Sequence, residues 1–168
     1  MTHSHEPPAA IRCLEHAGQT FRRLDYDYVL RGGTKDAAEK LGVPEYAVVK
    51  SLVFCNGEEG DNLVGVIALM HGNKRVSLHK LERLCKMRHL RPASPEEAER
   101  LTGFLPGGIC PFGTKKTMTV VMQSSLKLLD EVYLNAGERG VVIAIAPAVF
   151  GMLSPLEGDI MNETGKEI

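Results

Sequence analysis

No apolar run in this sequence approaches the roughly 18 residues that a membrane-spanning helix needs. The longest candidates are residues 63–70 and 141–153, and Pro147 interrupts the second. The first thirty residues lack a basic segment followed by an apolar stretch, so no secretory signal is expected. Net charge is nearly absent too, with 20 Lys and Arg against 21 Asp and Glu, a formal −1. Paired cysteines are missing. Cys13, Cys55, Cys85 and Cys110 show no C-x-x-C and no zinc-ligand spacing, which reads as reduced thiols and a cytoplasmic address. His79, Cys85 and His89 lie six and four residues apart, offsets that do not share one helical face, so no metal is expected there. His3 and His5 fall in a terminus expected to fray. Repeats, low-complexity tracts and linkers are absent as well. So are G-x-S-x-G, H-E-x-x-H, paired-carboxylate, Walker and dinucleotide signatures, which leaves serine, zinc and two-acid hydrolases without support and calls for no cofactor.

What is present is 168 residues, the length of one domain, able to bury about 70% of its unfolded surface. A hydrophobic content of 43% excludes a mostly disordered chain. Residues 7–17 read as a helix with Ile11 and Leu14 inward and Gly18 as its stop. Residues 20–28 read as a strand, and Thr34 caps a short helix over 35–41 closed by Gly42. After Pro44, the Val-rich strand 47–55 returns through the polar turn 56–62 into strand 63–70, a hairpin. Ser77 caps a helix that turns Leu78, Leu81, Leu84 and Cys85 inward. Ser94-Pro95-Glu96-Glu97 is a capping box with proline at the first helical position, and Gly103 ends that helix. Strands follow at 117–122, 132–135 and 141–145, the last two joined by Ala136-Gly137-Glu138-Arg139-Gly140. A short helix starts near Pro147. Residues 157–168 read as a loose tail to a domain spanning 1–156. The fold class is mixed α/β (α+β): one compact domain with a mixed, mostly antiparallel sheet.

Three features stand out chemically. Between His71 and Arg91 lie Lys74, Arg75, Lys80, Arg83, Lys86, Arg88 and Arg91 against the single acid Glu82, a local +6 that leaves −7 for the rest. A basic patch on an acidic body suits a polyanion, although a solvated helix face gives the same pattern. In Val48-Val49-Lys50-Ser51-Leu52-Val53-Phe54, period two places Lys50 on a face with Val48, Leu52 and Phe54. A lysine there is desolvated and needs an anion or carbonyl, unless it is an edge gatekeeper or snorkels outward. Finally, Gly107-Gly108-Ile109-Cys110-Pro111-Phe112-Gly113, followed by Lys115 and Lys116, is a loop whose N–H groups can cradle an oxyanion, or a crossover that merely needs positive φ. Cys110 has no histidine near it in sequence, which weakens a thiol nucleophile.

Val49-Lys50-Ser51-Leu52-Val53, residues 98–103 and the run from Gly107 to Lys116 resemble the YbaK/EbsC family, relatives of the editing domain inserted in bacterial prolyl-tRNA synthetases. The resemblance spans about residues 11–153, and Tyr133–Gly140 fits the family's Tyr-x-x-x-Gly-x-Arg-Gly turn. It implies a mixed, partly closed barrel-like sheet ringed by helices. It also implies an aminoacyl-tRNA deacylase acting in trans on a cysteine, alanine or proline ester, with a prolyl- or cysteinyl-tRNA synthetase as possible partner. Lys50 matches the family's essential lysine, Gly107 and Gly108 its substrate loop, and Tyr26 a pocket tyrosine. Cys110 stands where serine is usual, and Asn135 and Val142 stand where cysteine-specific members carry a serine and an acid. The substrate-binding set is then Tyr26, Gly107, Gly108, Cys110, Asn135 and Gly137. Lys74, Arg75, Lys80, Arg83, Lys86, Lys115 and Lys116 form the tRNA-binding rim. Neither metal nor cofactor enters. Two other readings stay open: a non-catalytic binder of aminoacyl-tRNA or nucleotide, and a hydrolase that depends on the Cys110 thiol.

Overall fold

The computed structural model describes residues 6–57 and 63–163. The turn expected at 56–62 falls largely outside them, as do His3 and His5. The chain runs through helix α1 (Ala9–His16), strand β1 (Arg22–Asp25), helix α2 (Gly33–Leu41), strands β2 (Val49–Asn56), β3 (Val64–His71) and β4 (Arg75–Val76), and helix α3 (Leu78–Cys85). Strand β5 (Arg91–Pro92), helix α4 (Pro95–Thr102) and strands β6 (Thr119–Gln123), β7 (Val132–Asn135), β8 (Val141–Ile145), β9 (Leu156–Gly158) and β10 (Met161–Asn162) complete it. Single 3-10 segments occupy Glu45–Ala47, Ser124–Leu128 and Pro147–Leu153.

A five-stranded sheet, ordered β5-β2-β3-β6-β9, is antiparallel on the β2 side and parallel from β3 to β9. β3 is its centre, and Gly65 through His71 are all buried, as expected of a strand covered on both faces. A second, antiparallel sheet orders β1-β8-β7. Val49, Val53, Ile67 and Leu69 of the large sheet share one core with Val132, Leu134, Val141 and Ile143 of the small one, and with Leu14 of α1 and Leu101 of α4. The other face of the large sheet, through Phe54, Val66, Ala68 and Met70, packs on Leu81 of α3. Helices α3 and α4 therefore lie on opposite faces of the large sheet. Val48 and Tyr133 make an isolated parallel bridge, which joins the two sheets at one edge. No further pairing closes a barrel among the described residues.

Most expected elements appear within two residues of their expected bounds. Ser77 caps α3 by accepting from the Lys80 N–H, and the Ser94 capping box on α4 has both reciprocal bonds. Three expectations need correction. Thr34 does not cap α2: Gly32 is the N-cap, and the Thr34 hydroxyl instead donates to the Gly72 carbonyl at 2.9 Å, with Glu45 Oε1 at 3.2 Å. The strand expected from Ala47 begins at Val49, because Ala47 closes a helical turn by donating to Pro44 O. The segment expected to be loose is built in. β9 lies parallel to β6, β10 pairs with β4, and Ile160 between them is fully buried with its N–H on Gln123 Oε1 at 2.8 Å. Residues 164–168 of the expected tail lie outside the described residues.

Candidate active site

The open start of β2, the first turn of α2 and the end of β1 surround a cavity of about 290 Å³. Tyr26, Lys50, Gly107 and Asn135, four of the residues singled out in the sequence, line it together with Val142. Tyr28, Arg31, Thr34 and Ser51 line it as well. The alternation that continues from Tyr26 to Tyr28 was the available signal for Tyr28. Nothing in the sequence marks Arg31 or Ser51 as cavity residues.

Lys50 is half-buried on the β2 face shared with Leu52 and Phe54, as period two requires. It makes no hydrogen bond or ion pair among the described residues. Burial lowers its pKa first, the nearby Arg75 charge adds to that, and Glu45 opposes both. The ammonium is thus a concentrated positive charge on the wall of the cavity. Tyr26 is also held in its neutral form, with its pKa raised mainly by burial and then by Tyr28 and Asp36.

Tyr28 is fixed from two sides. Arg139 stands over its ring, 5.2 Å from the centroid, while Arg139 Nε donates to the Pro106 carbonyl at 2.8 Å. Gly107, at φ +90, passes so close that a Cβ there would sit 2.6 Å from the Tyr28 hydroxyl oxygen. The glycine loop therefore makes room for an aromatic wall. Gly108 is not free to cradle an anion, since its N–H already donates to Leu105 O at 2.9 Å, and a Cβ there would sit 3.1 Å from the Glu138 backbone. Gly137 packs against the Phe104 ring rather than facing the cavity.

Cys110 is fully buried in the main core and does not line the cavity. Burial pushes its thiol up to about 12, against a smaller lowering by the Phe112 backbone. At neutral pH such a thiol is neither ionised nor accessible, and a hydrolase built on it has no physical support.

The expected basic rim is divided. Arg83, Lys86 and Arg88 line a groove along α3, and Arg75 lies close enough to act electrostatically on Lys50. Lys74 is exposed beside Arg75. Lys80 is engaged with Asp159 at 3.0 Å and the Met161 carbonyl at 2.8 Å. Lys115 and Lys116 do not join them. Their N–H groups bond to Thr102 O and Leu101 O at the end of α4, on the opposite face of the large sheet. No group of three His, Cys, Asp or Glu is placed to hold a metal ion among the described residues. No helix among the described residues is long and apolar enough to cross a membrane.

Comparison with known proteins supplies a context for this cavity. The sequence profile described as the aminoacyl-tRNA editing domain matches residues 32–150. A protein of Enterococcus faecalis, provisionally named Cys-tRNA(Pro)/Cys-tRNA(Cys) deacylase EbsC, is 28% identical over 133 residues, covering 79% of this chain and 77% of its own. The proline–tRNA ligase of Limosilactobacillus fermentum is 33% identical over 105 residues, 62% of this chain. The match spans only 18% of that ligase's length. A crystal structure provisionally described as a trans-editing enzyme for prolyl tRNA synthetase superposes with a TM-score of 0.79 at 28% identity, over 94% of this chain and 99% of that one.

Proposed function

The chain belongs to the aminoacyl-tRNA editing domain family, and from that membership and its cavity we propose that it is a trans-acting deacylase that frees a wrongly attached amino acid from tRNA. The observation that carries this reading is Lys50, a desolvated ammonium with no hydrogen bond or ion pair among the described residues, on the wall of a cavity whose lining has no cysteine and no histidine or carboxylate to activate its hydroxyls. An aminoacyl ester is already activated relative to an amide. The site has to hold the carbonyl and favour the negative charge that grows on its oxygen. Lys50 supplies that charge stabilisation. A water adds to the ester carbon, the bond to the ribose oxygen breaks, and the proton ends on that oxygen. For a cysteinyl ester the substrate's own thiol can replace the water.

Val48, Ala37, Leu52 and Val142 make the cavity's walls largely apolar, which suits a small uncharged side chain of the cysteine, alanine or proline class. Arg75 and the α3 cations Arg83, Lys86 and Arg88 extend positive charge away from the cavity, a path for tRNA phosphates. Cytoplasmic aminoacyl-tRNA is the partner this reading requires, with a prolyl- or cysteinyl-tRNA synthetase as the source of the error.

The test is release of amino acid from a panel of cysteinyl-, alanyl- and prolyl-tRNAs. Lys50→Ala should abolish release at an unchanged circular dichroism spectrum, while Cys110→Ser should leave the rate within about twofold. Undiminished release by a folded Lys50→Ala protein would sink the assignment.

A further inference from the structure

Of the five Phe and four Tyr in this chain, Tyr46 alone is exposed, at 43%. It sits in the 3-10 turn Glu45–Ala47 that leads into β2, shortly before Val48 and Lys50 of the cavity wall. One face of its ring lies on the His71 imidazole, with centroids 5.5 Å apart and planes inclined by 26°. His71 is buried and fixed at both nitrogens. Its Nδ1 donates to the Tyr46 carbonyl at 2.8 Å, and its Nε2 bonds to the Ser125 hydroxyl at 2.7 Å. The Tyr46 hydroxyl has no hydrogen bond among the described residues. An aromatic plane immobilised from below and open above is a stacking surface.

Cations stand beside it. The turn after His71 packs its backbone on the same 3-10 segment, since a Cβ on Gly72 would lie 2.5 Å from the Glu45 carbonyl oxygen and 2.7 Å from that of Val48. That turn carries Lys74 and Arg75, both exposed and neither in an ion pair among the described residues. Glu45 and Arg75 both act on the Lys50 charge, which sets this surface at the margin of the cavity. Glu45 is the acid next to the ring in sequence, and its Oε1 lies 3.2 Å from the Thr34 hydroxyl. An aromatic plane with cations at its side suits single-stranded nucleic acid, because every base has a π face and every nucleotide a phosphate. A protein partner would call for apolar neighbours around the ring, where Asn73, Lys74 and Arg75 stand instead.

We propose that Tyr46, Lys74 and Arg75 bind the next-to-last nucleotide of the tRNA, its base stacked on the open face of Tyr46 and its phosphate facing the two cations. This rests on the deacylase reading above, which sets the ester and its terminal adenosine at Lys50. The 3′ end of a tRNA is single-stranded, so the nucleotide one step back leaves the cavity with its base free to stack. Stacking reads no base edge. The contact therefore adds affinity for an unpaired 3′ end without choosing among tRNAs, and it helps to hold the ester at the cavity while Lys50 acts.

The experiment uses three short esters of the amino acid that the wild type releases fastest from tRNA. They are the 3′-aminoacyl adenosine, the same ester on the trinucleotide CCA, and that trinucleotide with its middle base removed. Each rate is corrected for spontaneous hydrolysis. The wild type should prefer CCA over its abasic form by about tenfold in kcat/KM, mainly through KM. Tyr46→Ala should treat those two alike, and on the aminoacyl adenosine, which has no second nucleotide, it should stay within about twofold of the wild type. Tyr46→Phe keeps the plane and should keep the preference. Tyr46→Leu covers His71 without offering an aromatic face and should lose it. A wild type indifferent to the middle base, or a Tyr46→Ala protein that loses as much on the aminoacyl adenosine, overturns the inference while leaving the deacylase reading intact. Release from whole tRNA with none from the CCA ester does the same. A wild type that releases nothing from tRNA or from any short ester overturns both.

Discussion

An ammonium held on a strand wall without a hydrogen bond or ion pair is a standing cost to the fold. Lys50 meets that description, with burial and Arg75 both disfavouring its charged form. Replacing it by methionine, of similar length and apolar, should therefore raise Tm at neutral pH while abolishing deacylation, the trade expected of a residue kept for chemistry. The folded protein sheds the Lys50 proton at a lower pH than the unfolded chain does. Between that depressed value and the ordinary lysine value of 10.5 the unfolded state binds more protons, so wild-type stability rises with pH relative to Lys50→Met. The advantage of the variant should narrow over that window in urea titrations, and a constant difference would contradict the depressed pKa. The same shift predicts that enzyme-dependent release falls on the alkaline side as Lys50 loses its charge. Removing the second cause, in Arg75→Ala, should move that fall to higher pH in a kcat/KM profile.

The elements around the cavity depend on a clamp on its far side. Arg91 of β5 donates from both terminal nitrogens to the two Glu97 oxygens of α4, each at 2.7 Å, and Glu97 Oε1 also accepts the Ser94 N–H at 3.0 Å. Those bonds hold the Glu97 carboxyl down to about 2, the Arg91 guanidinium contributing most. Its folded-state pKa lies below the model-peptide range, so the stability it contributes is complete above about pH 4.5 and is lost as pH falls toward 2. Glu97→Gln should cost on the order of 2 kcal/mol in urea unfolding at pH 7, and the gap should shrink steadily below pH 4.5. A gap independent of pH would place the loss in packing instead. The clamp anchors Pro92 and Ala93 beside the far half of β2. Its parts were legible in the sequence, because a capping box is a local pattern: Ser94, Pro95 and Glu97 are spaced as a helix start requires. The β7–β8 turn and the Ser77 cap were legible for the same reason. β9 and β10 were not, since Leu156–Gly158 and Met161–Asn162 are too short to show alternation and form only because β6 and β4 have edges to offer. At the site the division is similar. Lys50 declares itself as a charge on an apolar face, whereas the wall that Tyr28 and Arg31 add to the cavity is assembled only by the folded chain.

At the scale of the whole molecule, a net charge of −1 conceals an uneven field. Two cations of the basic segment are already paired within the chain, Arg91 with Glu97 and Lys80 with Asp159, so the local excess overstates what a polyanion would meet. Arg83, Lys86 and Arg88 face the α3 groove, and Arg75 links that side of the sheet electrostatically to Lys50. Lys115 and Lys116, at the end of α4, belong to the other face and lie off this path. The proposed tRNA track therefore makes an asymmetric prediction. The triple variant Arg83→Ala/Lys86→Ala/Arg88→Ala should weaken tRNA binding and flatten the dependence of log K on log salt by roughly two to three units, since each lost phosphate contact removes about 0.9 for a duplex. Lys115→Ala/Lys116→Ala should change that slope by less than about one unit. Release of an amino acid from a 3′-aminoacyl adenosine, which carries no phosphate, should be the same in the triple variant as in the wild type. Filter-binding titrations across a salt series, run beside that minimal ester, separate the two surfaces. Equal slopes in both variants would place the tRNA across the sheet rather than along α3, and a matching loss on the minimal ester would mean that the α3 changes had disturbed the cavity itself.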